Sequence, residues 1–365
     1  MSAWLQRQWL RRGPLAWSLR PLTAVYRALQ SWDRARHASG RRAIHRPPVP
    51  VLVVGNWIVG GAGKTPTLLA VLALLKAWGW RAGVVSRGYG RHSEGVQLAH
   101  AHSDAHQLGD EPLLIWRRSG APLAVAASRG EACAALLAAH PDLNLIVSDD
   151  GLQHAGLARD LSLWLFDARG LGNGWLLPAG PLRQDRALPP LPGSRANHLV
   201  LYTDGQPSTA LPGFVAQRQL AGAVSLDSWW NHQAQTPQAL ESLRGRRLVA
   251  VAGLARPQAF FDMLQAAGLD FQALPLPDHH RFDHLPWQAD DELLLTEKDA
   301  VKLPPERLAP GQRAWVLPLD LQPEPAFAEA LLHELQALLG PPPHGPTPDR
   351  TAGLPPVQGP AATQP

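Results

Sequence analysis

Runs of consecutive apolar residues alternate with helical segments between residues 49 and 202. The first run, Val49–Gly55, contains no polar side chain, which is typical of a strand that is covered on both faces. The other runs are short, and the segments between them have the length and spacing of helices. The predicted strands are Arg81–Ser86, Ala121–Ala126, Leu143–Val147, Leu161–Phe166 and His198–Tyr202, and the predicted helices are Lys64–Trp78 and Glu131–Ala139. This alternation predicts an α/β fold with a doubly wound, mostly parallel sheet.

A second, smaller α/β unit is expected after the Pro- and Gly-containing connection at Asp204–Phe214. Its predicted strands are Arg247–Ala252, Phe271–Leu276 and Glu292–Leu295, and its predicted helices are Pro257–Ala267 and Ala326–Leu339. The last 25 residues contain nine prolines, a composition that predicts disorder. We therefore expect an arm at 1–48, a larger domain at 49–205, a smaller domain at 206–340 and a disordered tail at 341–365.

The first 46 residues concentrate the positive charge of the chain. They hold ten arginines against one acid, Asp33, whereas the rest carries 24 basic and 29 acidic residues. Arginine recurs too often for a transmembrane span or a standard signal peptide. Trp and Leu residues alternate with these arginines, and Pro14 and Pro21 are expected to divide the arm into two short helices. The pattern predicts an amphipathic arm on an anionic membrane surface, or else a helix packed on the protein's own core.

The strongest chemical signal is the segment GNWIVGGAGKTP at Gly55–Pro66, between a predicted strand and a predicted helix. Glycines there let backbone N–H groups turn towards an anion, and the helix N-terminus adds its dipole. Lys64 can reach the β- and γ-phosphates of a nucleotide, although Ile58 stands where the P-loop pattern has its first glycine. The segment predicts a P-loop NTPase-like fold; the alternative is a glycine-rich helix cap with a solvated lysine. The expected nucleotide contacts are Ile58, Val59, Gly60, Gly61, Ala62, Gly63, Lys64 and Thr65.

A magnesium site is predicted beside this loop. Thr65 can hold Mg²⁺, and Asp149 and Asp150 follow the run LNLIV after a single serine, at the end of a neighbouring strand. Two adjacent acids also fit a plain turn. The nearest string to a guanine-recognition motif, Thr296–Asp299, does not match the required pattern, which favours ATP over GTP.

Composition leaves other candidates open. The single cysteine, Cys133, excludes an intramolecular disulfide and a multi-cysteine metal site, and it is expected in the core. Asp110 alone would be interpreted as a helix N-cap before Pro112–Trp116. The acids and histidines at 278–284 suggest a metal site, but the prolines that bracket the stretch argue against a helix that would align them.

With these motifs in view, the sequence resembles the tetraacyldisaccharide 4′-kinase family of the lipid A pathway. The resemblance rests on strings in a fixed order over roughly residues 45–305: VGNWIVGGAGKTP, VSRGYGR, LGDEPLLI, SDDGLQH, GNGWLLPAGPLR, PDHHRF and LLTEKDAVK. It implies transfer of the ATP γ-phosphate to the 4′-hydroxyl of an acylated glucosamine disaccharide 1-phosphate, giving lipid IVA. It also implies a requirement for Mg²⁺ and a peripheral site at the cytoplasmic face of the inner membrane.

The resemblance assigns roles to residues that composition leaves open. Asp110 becomes the base towards the sugar hydroxyl, and its implied partner is His279, which is preferred to His280. Arg183 follows a Gly/Pro-rich loop and would neutralise developing phosphate charge. Four residues near strand ends are candidates to contact the acceptor substrate, namely Arg87, Tyr89, Gln153 and His154. Lys298 either neutralises nucleotide phosphate or pairs with Asp299.

Two other function classes compete with a lipid-sugar kinase. The first is a nucleotide switch that engages a partner through its basic arm, and such a protein does not need Asp110 and His279. The second is a nucleic-acid-binding ATPase, which the acidic body disfavours, so no nucleic-acid partner is expected. We expect a monomer.

Overall fold

A computed structural model describes residues 3–185, 192–231, 238–278 and 280–343. The helices are α1 (Ala3–Gln8), α2 (Pro14–Ser18), α3 (Arg20–Ala38), α4 (Lys64–Ala77), α5 (Ala105–Leu108), α6 (Asp110–Ser119), α7 (Arg129–Ala139), α8 (Leu226–Trp230), α9 (Pro257–Ala266), α10 (Glu297–Ala300) and α11 (Pro325–Leu339). The strands are β1 (Val51–Asn56), β2 (Ala82–Ser86), β3 (Gln97–Leu98), β4 (Leu123–Val125), β5 (Leu145–Asp149), β6 (Leu161–Phe166), β7 (His198–Tyr202), β8 (Phe214–Leu220), β9 (Val224–Ser225), β10 (Leu248–Ala252), β11 (Phe271–Pro275), β12 (Glu292–Thr296), β13 (Ala314–Leu317) and β14 (Leu319–Pro323). The tail from residue 344 lies outside the described residues.

The larger sheet has, in the described part of the chain, nine strands in the order β14-β8-β7-β6-β1-β5-β2-β4-β3. The seven strands from β8 to β4 run parallel, and β14 and β3 pair antiparallel at the two edges. The sheet confirms the predicted doubly wound, mostly parallel architecture. Strand β1 lies at its centre, with β5 on one side and β6 on the other, so the carboxyl ends of these strands meet at one edge.

The core of the larger unit forms around the helix that follows β1. Every residue of β1 is buried, and α4 is apolar around most of its circumference. Leu68, Val71 and Leu75 of α4 are fully buried against the sheet. Burying each such side chain contributes about 1.5–3 kcal/mol, so the start of α4 has a rigid base. Cys133 is buried in the core, as predicted.

The smaller sheet orders its five described strands β11-β10-β12-β13-β9, with only the edge strand β9 antiparallel. Two strands that come after the expected boundary at 205/206, β8 and β14, belong to the larger sheet rather than to the smaller one. Strand β8 pairs with β7, and β14 returns from the C-terminal part of the chain to pair with β8. The chain thus leaves the larger sheet after Leu220 and rejoins it at Leu319, and the division into four segments stays a prediction.

The arm consists of three helices rather than two. Pro14 and Pro21 each lie in the first turn of a helix, where a missing N–H costs nothing, so they begin α2 and α3 instead of breaking a longer helix. The inner face of the arm docks on the loop at 172–183. Trp9 Nε1 donates to Pro178 O at 2.8 Å, and Thr23 Oγ1 donates to Leu176 O at 3.2 Å. Within the described residues, no helix has the length and apolarity needed to cross a membrane.

Candidate active site

The loop between β1 and α4 presents backbone donors. Every carbonyl group from Ile58 to Gly63 accepts a hydrogen bond, from Asn56, Arg169, Thr203 or Thr67. For the N–H groups of Gly60 to Gly63, no protein acceptor occurs among the described residues. Gly60 and Gly63 adopt positive φ values of 97° and 76°, which glycine tolerates. The loop therefore forms a nest of N–H groups at a helix N-terminus, the arrangement that binds phosphate.

Asn56 organises this loop, and sequence reasoning missed it. The side chain is fully buried at the end of β1, and its Nδ2 donates to Ile58 O at 2.7 Å and to Gly60 O at 2.9 Å. Its Oδ1 accepts from Lys64 Nζ at 3.2 Å and from Arg183 at 3.3 Å. One amide thus shapes the loop and holds both predicted phosphate cations. The asparagine directly after a buried apolar run was the available signal.

Asp149 and Asp150 lie where the motif predicted them, at the carboxyl end of β5 beside β1. Asp149 Oδ2 accepts from Ser86 Oγ at 3.0 Å, whereas its buried Oδ1 has no hydrogen-bond partner among the described residues. Asp150 Oδ1 lies 2.7 Å from Arg183 NH1 and 3.9 Å from Lys64 Nζ. Asp150 also has a positive φ of 47°, a strained conformation of the kind that occurs at functional sites.

The two carboxylates have opposite electrostatic environments. Burial, with smaller contributions from Glu111 and Asp150, raises the pKa of Asp149 to about 6. Burial acts in the same direction on Asp150, but the nearby cations Lys64 and Arg183 bring the pKa of that carboxyl below its ordinary value. Asp150 is therefore ionised near neutral pH, whereas for Asp149 the opposing effect of Lys64 does not outweigh burial.

Arg129 supports this turn and was also missed. It is 5% exposed, and its NH2 donates to the carbonyl oxygens of Asp149 at 3.0 Å and Asp150 at 2.9 Å. Arg129 is the first residue of α7 and belongs to no motif that the sequence analysis recognised, so the sequence did not indicate its contact with the two aspartates.

Arg183 reaches the site from a loop that is paired with the phosphate loop. Arg183 N donates to Trp57 O at 2.8 Å, and Val59 N donates to Pro181 O at 2.9 Å. On the other side, Tyr26 of α3 donates its hydroxyl hydrogen to Arg183 O at 2.8 Å. The backbone of Arg183 is therefore held between the phosphate loop and the arm.

Asp110 is the first residue of α6, and the N-cap is Gly109, so the interpretation of Asp110 as an N-cap is wrong. The reason is that Gly109 has a φ of 91°, which ends α5 and lets the helix restart at Asp110. The next residue, Glu111, forms an ion pair with Lys298 of α10. Burial opposes the charge of Lys298, but Glu111 raises its pKa. Lys298 thus pairs with Glu111, whereas Asp299 pairs with Lys302 at 3.1 Å.

His279, the predicted partner of Asp110, lies outside the described residues, so that pair stays a prediction. His280 is described: its ring packs edge-on against Phe282, with 5.0 Å between centroids. Among the described residues, no group of three or more His, Cys, Asp or Glu side chains is placed to hold a metal, at 278–284 or elsewhere.

The four candidate acceptor contacts lie at the same edge of the sheet, around the ends of β2 and β5. Arg87 is exposed immediately after β2, and Tyr89 is 79% exposed. Gln153 donates to Asn56 O at 3.1 Å. Burial lowers the pKa of His154 to about 4, and the neighbouring cations act in the same direction, so this imidazole is neutral near pH 7.

The donor set fits ATP with Mg²⁺. The N–H nest and Lys64 suit phosphate oxygens, and the unpartnered buried oxygen of Asp149, with Asp150 and Thr65 nearby in the motif, supplies the hard oxygen ligands that Mg²⁺ requires.

Comparisons with known proteins agree with this geometry. The sequence model of the family described as tetraacyldisaccharide-1-P 4′-kinase matches residues 15–336. The tetraacyldisaccharide 4′-kinase of Methylibium petroleiphilum is 53% identical over 335 residues, which cover 91% of this chain and 93% of that protein. The corresponding protein of Leptothrix cholodnii is 46% identical and covers 92% and 97%. Among solved structures, LpxK from Aquifex aeolicus in complex with ATP superimposes with a TM-score of 0.72 at 26% identity, over 89% of this chain and 99% of that chain.

Proposed function

We propose, from the premise that this chain belongs to the tetraacyldisaccharide-1-P 4′-kinase family, that it transfers the γ-phosphate of ATP to the 4′-hydroxyl of tetraacyldisaccharide 1-phosphate. The product is lipid IVA. The observation that carries the proposal is the convergence of Lys64 and Arg183 on one buried amide, Asn56, beside an N–H nest, with Asp150 paired to Arg183. This arrangement suits the binding and transfer of a phosphoryl group.

The cations prepare the site for the charge of the triphosphate. Lys64 binds Asn56, and Arg183 binds Asp150, so both side chains already point into the site. They need to move little when phosphate oxygens replace these partners. A guanidinium presents a planar set of donors, which suits the oxygens of a phosphoryl group in transfer. Arg183 therefore neutralises the charge that develops, and Lys64 binds the outer phosphates.

Thr65, Asp149 and Asp150 are the proposed holders of Mg²⁺, which when bound neutralises phosphate charge and orients the phosphates. Asp149 keeps one oxygen unpartnered in the buried site, and Arg129 fixes the backbone of both aspartates from behind. The acids are thereby positioned without being blocked.

Asp110 is the proposed base towards the 4′-hydroxyl, with His279 as its partner. It lies in the first turn of α6, where a negative charge interacts favourably with the positive end of the helix dipole. The contacts proposed for the acceptor substrate are Arg87, Tyr89, Gln153 and His154.

The protein is proposed to act as a monomer, peripherally, at the cytoplasmic face of the inner membrane. Seven of the eight large apolar side chains that are strongly exposed in the described chain belong to the arm: Trp4, Leu10, Trp17, Leu22, Val25, Leu29 and Trp32. Together with the arginines of the arm, this surface suits the interface of an anionic bilayer, where an acylated substrate resides.

Phosphate transfer tests the proposed function directly. Purified protein in detergent receives γ-labelled ATP, Mg²⁺ and tetraacyldisaccharide 1-phosphate, beside the Lys64→Ala and Asp110→Asn variants. We expect label in the lipid product, with a loss of at least about 100-fold in each variant, in the range for removing a charge-stabilising or proton-transfer group. The control is Lys76→Met, which removes an exposed lysine from the last turn of α4, at the end of the helix remote from Lys64. Retention of ATP binding without lipid labelling would instead support the nucleotide switch.

A further inference from the structure

The loop after β6 contacts the phosphate loop. Strand β6 is one neighbour of β1, and β5, which carries Asp149, is the other. Asp167, the first residue of this loop, is 1% exposed, and its carboxylate binds Arg169 with Oδ1–Nε at 3.1 Å and Oδ2–NH2 at 2.7 Å. The same guanidinium donates to Val59 O at 3.2 Å and to Gly61 O at 3.0 Å. Because a guanidinium is a rigid planar fork, fixing it on Asp167 also fixes these two carbonyl groups.

The fit between Arg169 and the phosphate loop is close. A Cβ atom on Gly60 would lie 3.1 Å from Arg169 NH1, so the guanidinium would have to shift by a few tenths of an ångström. The next loop supports the other end of the nest in the same way, because Thr203 Oγ1 donates to Ala62 O at 3.2 Å. The conformation of the nest thus depends on side chains outside the glycine-rich segment itself.

The smaller unit reaches this contact through Arg256. This residue directly precedes α9, and its NH2 lies 3.1 Å from Asp167 Oδ2. One buried carboxylate therefore binds two guanidinium groups, one from each unit. Burying such a carboxylate requires full pairing, so loss of either arginine changes how Asp167 holds the other.

We propose that Arg256, Asp167 and Arg169 form a positioning chain through which the smaller unit holds the phosphate loop in its nucleotide-binding conformation. The proposal rests on the proposed function only in taking ATP as the ligand of this loop. Without the chain, the carbonyl groups of Val59 and Gly61 are free to turn towards the phosphates, where oxygen would face oxygen. The smaller unit thus contributes to ATP affinity from a position behind the loop.

Steady-state kinetics of three variants test the positioning chain. The variants are Arg256→Gln, Arg169→Met and Asp167→Asn. We expect the KM for ATP to rise about 5-fold in Arg256→Gln and at least about 10-fold in Arg169→Met, from the loss of charge-assisted hydrogen bonds. The KM for the lipid and the kcat at saturating ATP should stay within about twofold. In the Asp167→Asn background, Arg256→Gln should have no further effect, because the link is already cut.

Arg246→Gln is the matched control. Arg246 also belongs to the smaller unit, is 33% exposed against 37% for Arg256, and pairs at 2.8 Å with Glu292 inside its own unit. Its loss should lower the melting temperature without changing the KM for ATP. An unchanged KM for ATP in folded Arg256→Gln, or a fully additive effect with Asp167→Asn, would overturn the proposal.

Direct ATP binding separates this proposal from the function. The dissociation constant for ATP of the same variants is measured by calorimetry with Mg²⁺ and without lipid. If the wild-type protein binds ATP but transfers no phosphate, the proposed function fails. The positioning chain is then still tested by comparing the ATP dissociation constant of each variant with that of the wild-type protein. Arg256→Gln changes a partly exposed side chain, so it keeps the test valid where Asp167→Asn or Arg169→Met does not fold.

Discussion

Asn56 makes four hydrogen bonds with one amide group, two as donor to the phosphate loop and two as acceptor from Lys64 and Arg183. Aspartate has the same shape but cannot donate when ionised. In Asn56→Asp the carbonyl groups of Ile58 and Gly60 lose their donor, and the carboxylate competes with the nucleotide for both cations. We expect kcat/KM for ATP to fall by at least about 100-fold, from two lost hydrogen bonds and the added charge.

The same substitution at Asn144 provides the comparison. Asn144 precedes β5, at the end of the sheet opposite to the site, and its Oδ1 accepts from Arg81 N at 3.0 Å. Asn144→Asp should leave kcat/KM for ATP within about twofold. Equal losses in the two variants would show that the added negative charge, rather than the position of Asn56, lowers the activity.

His154 gives the protein a defined pH dependence of stability. Burial lowers its pKa from 6.5 to about 4, so the folded state prefers the neutral imidazole. Its contribution is complete above pH 6.5 and is lost as the pH falls towards 4, because the unfolded chain binds the proton first. In His154→Gln the melting temperature should therefore fall less steeply between pH 6.5 and 4 than in the wild-type protein. Parallel melting curves across this range would contradict this.

Helix α3 acts on the site through its inner face. Tyr26 and Gln30 both donate to the carbonyl oxygen of Arg183, at 2.8 Å from Tyr26. In Tyr26→Phe/Gln30→Ala this oxygen loses both donors, so the guanidinium is positioned less well during transfer. We expect kcat to fall about 10-fold with the KM for ATP nearly unchanged. Ser18→Ala removes an exposed hydroxyl that donates to Leu15 O within the arm, and it should have no effect.

Elements with a strong local pattern could be predicted from the sequence, and elements fixed by distant pairing could not. The run VLVV and the glycine-rich turn after it predicted β1, the phosphate loop and α4 near their observed bounds. Strand β14 pairs with β8 a hundred residues earlier, Leu319 opposite Leu220, and neither strand carries a signal of that partner. The site divides in the same way. Motif residues Lys64 and Asp150 were predicted together, whereas Arg129, Arg169 and the Glu111–Lys298 pair depend on how separate elements pack.

Across the whole molecule, the two units are joined by ion pairs that surround α6. At its start, Glu111 pairs with Lys298; towards its end, Arg118 binds both Glu297 at 2.6 Å and Asp320 at 2.7 Å. These ion pairs fix both ends of α6. Because α6 begins with Asp110, they also fix the position of the proposed base. The arm contacts Arg183 through Tyr26 and Gln30, so the arm and the smaller unit both contact elements that carry residues of the site.

The outer face of α3 is the surface that we expect to bind the membrane in which the acylated substrate resides. Leu22, Val25, Leu29 and Trp32 recur every three or four residues on α3 and are each more than half exposed. In Leu29→Asp/Trp32→Asp, binding to vesicles of phosphatidylcholine and phosphatidylglycerol should fall at least about 10-fold, because each lost side chain contributes about 1.5–3 kcal/mol when buried. Transfer to substrate in detergent should persist, since the inner face of α3 is intact. Gln265→Asp/Ala266→Asp places the same charge on exposed positions of α9 and should bind vesicles as the wild-type protein does. Unchanged vesicle binding in the α3 variant would mean that the exposed stripe serves another contact, whereas selective loss would place the site, through Arg183, next to the bilayer surface.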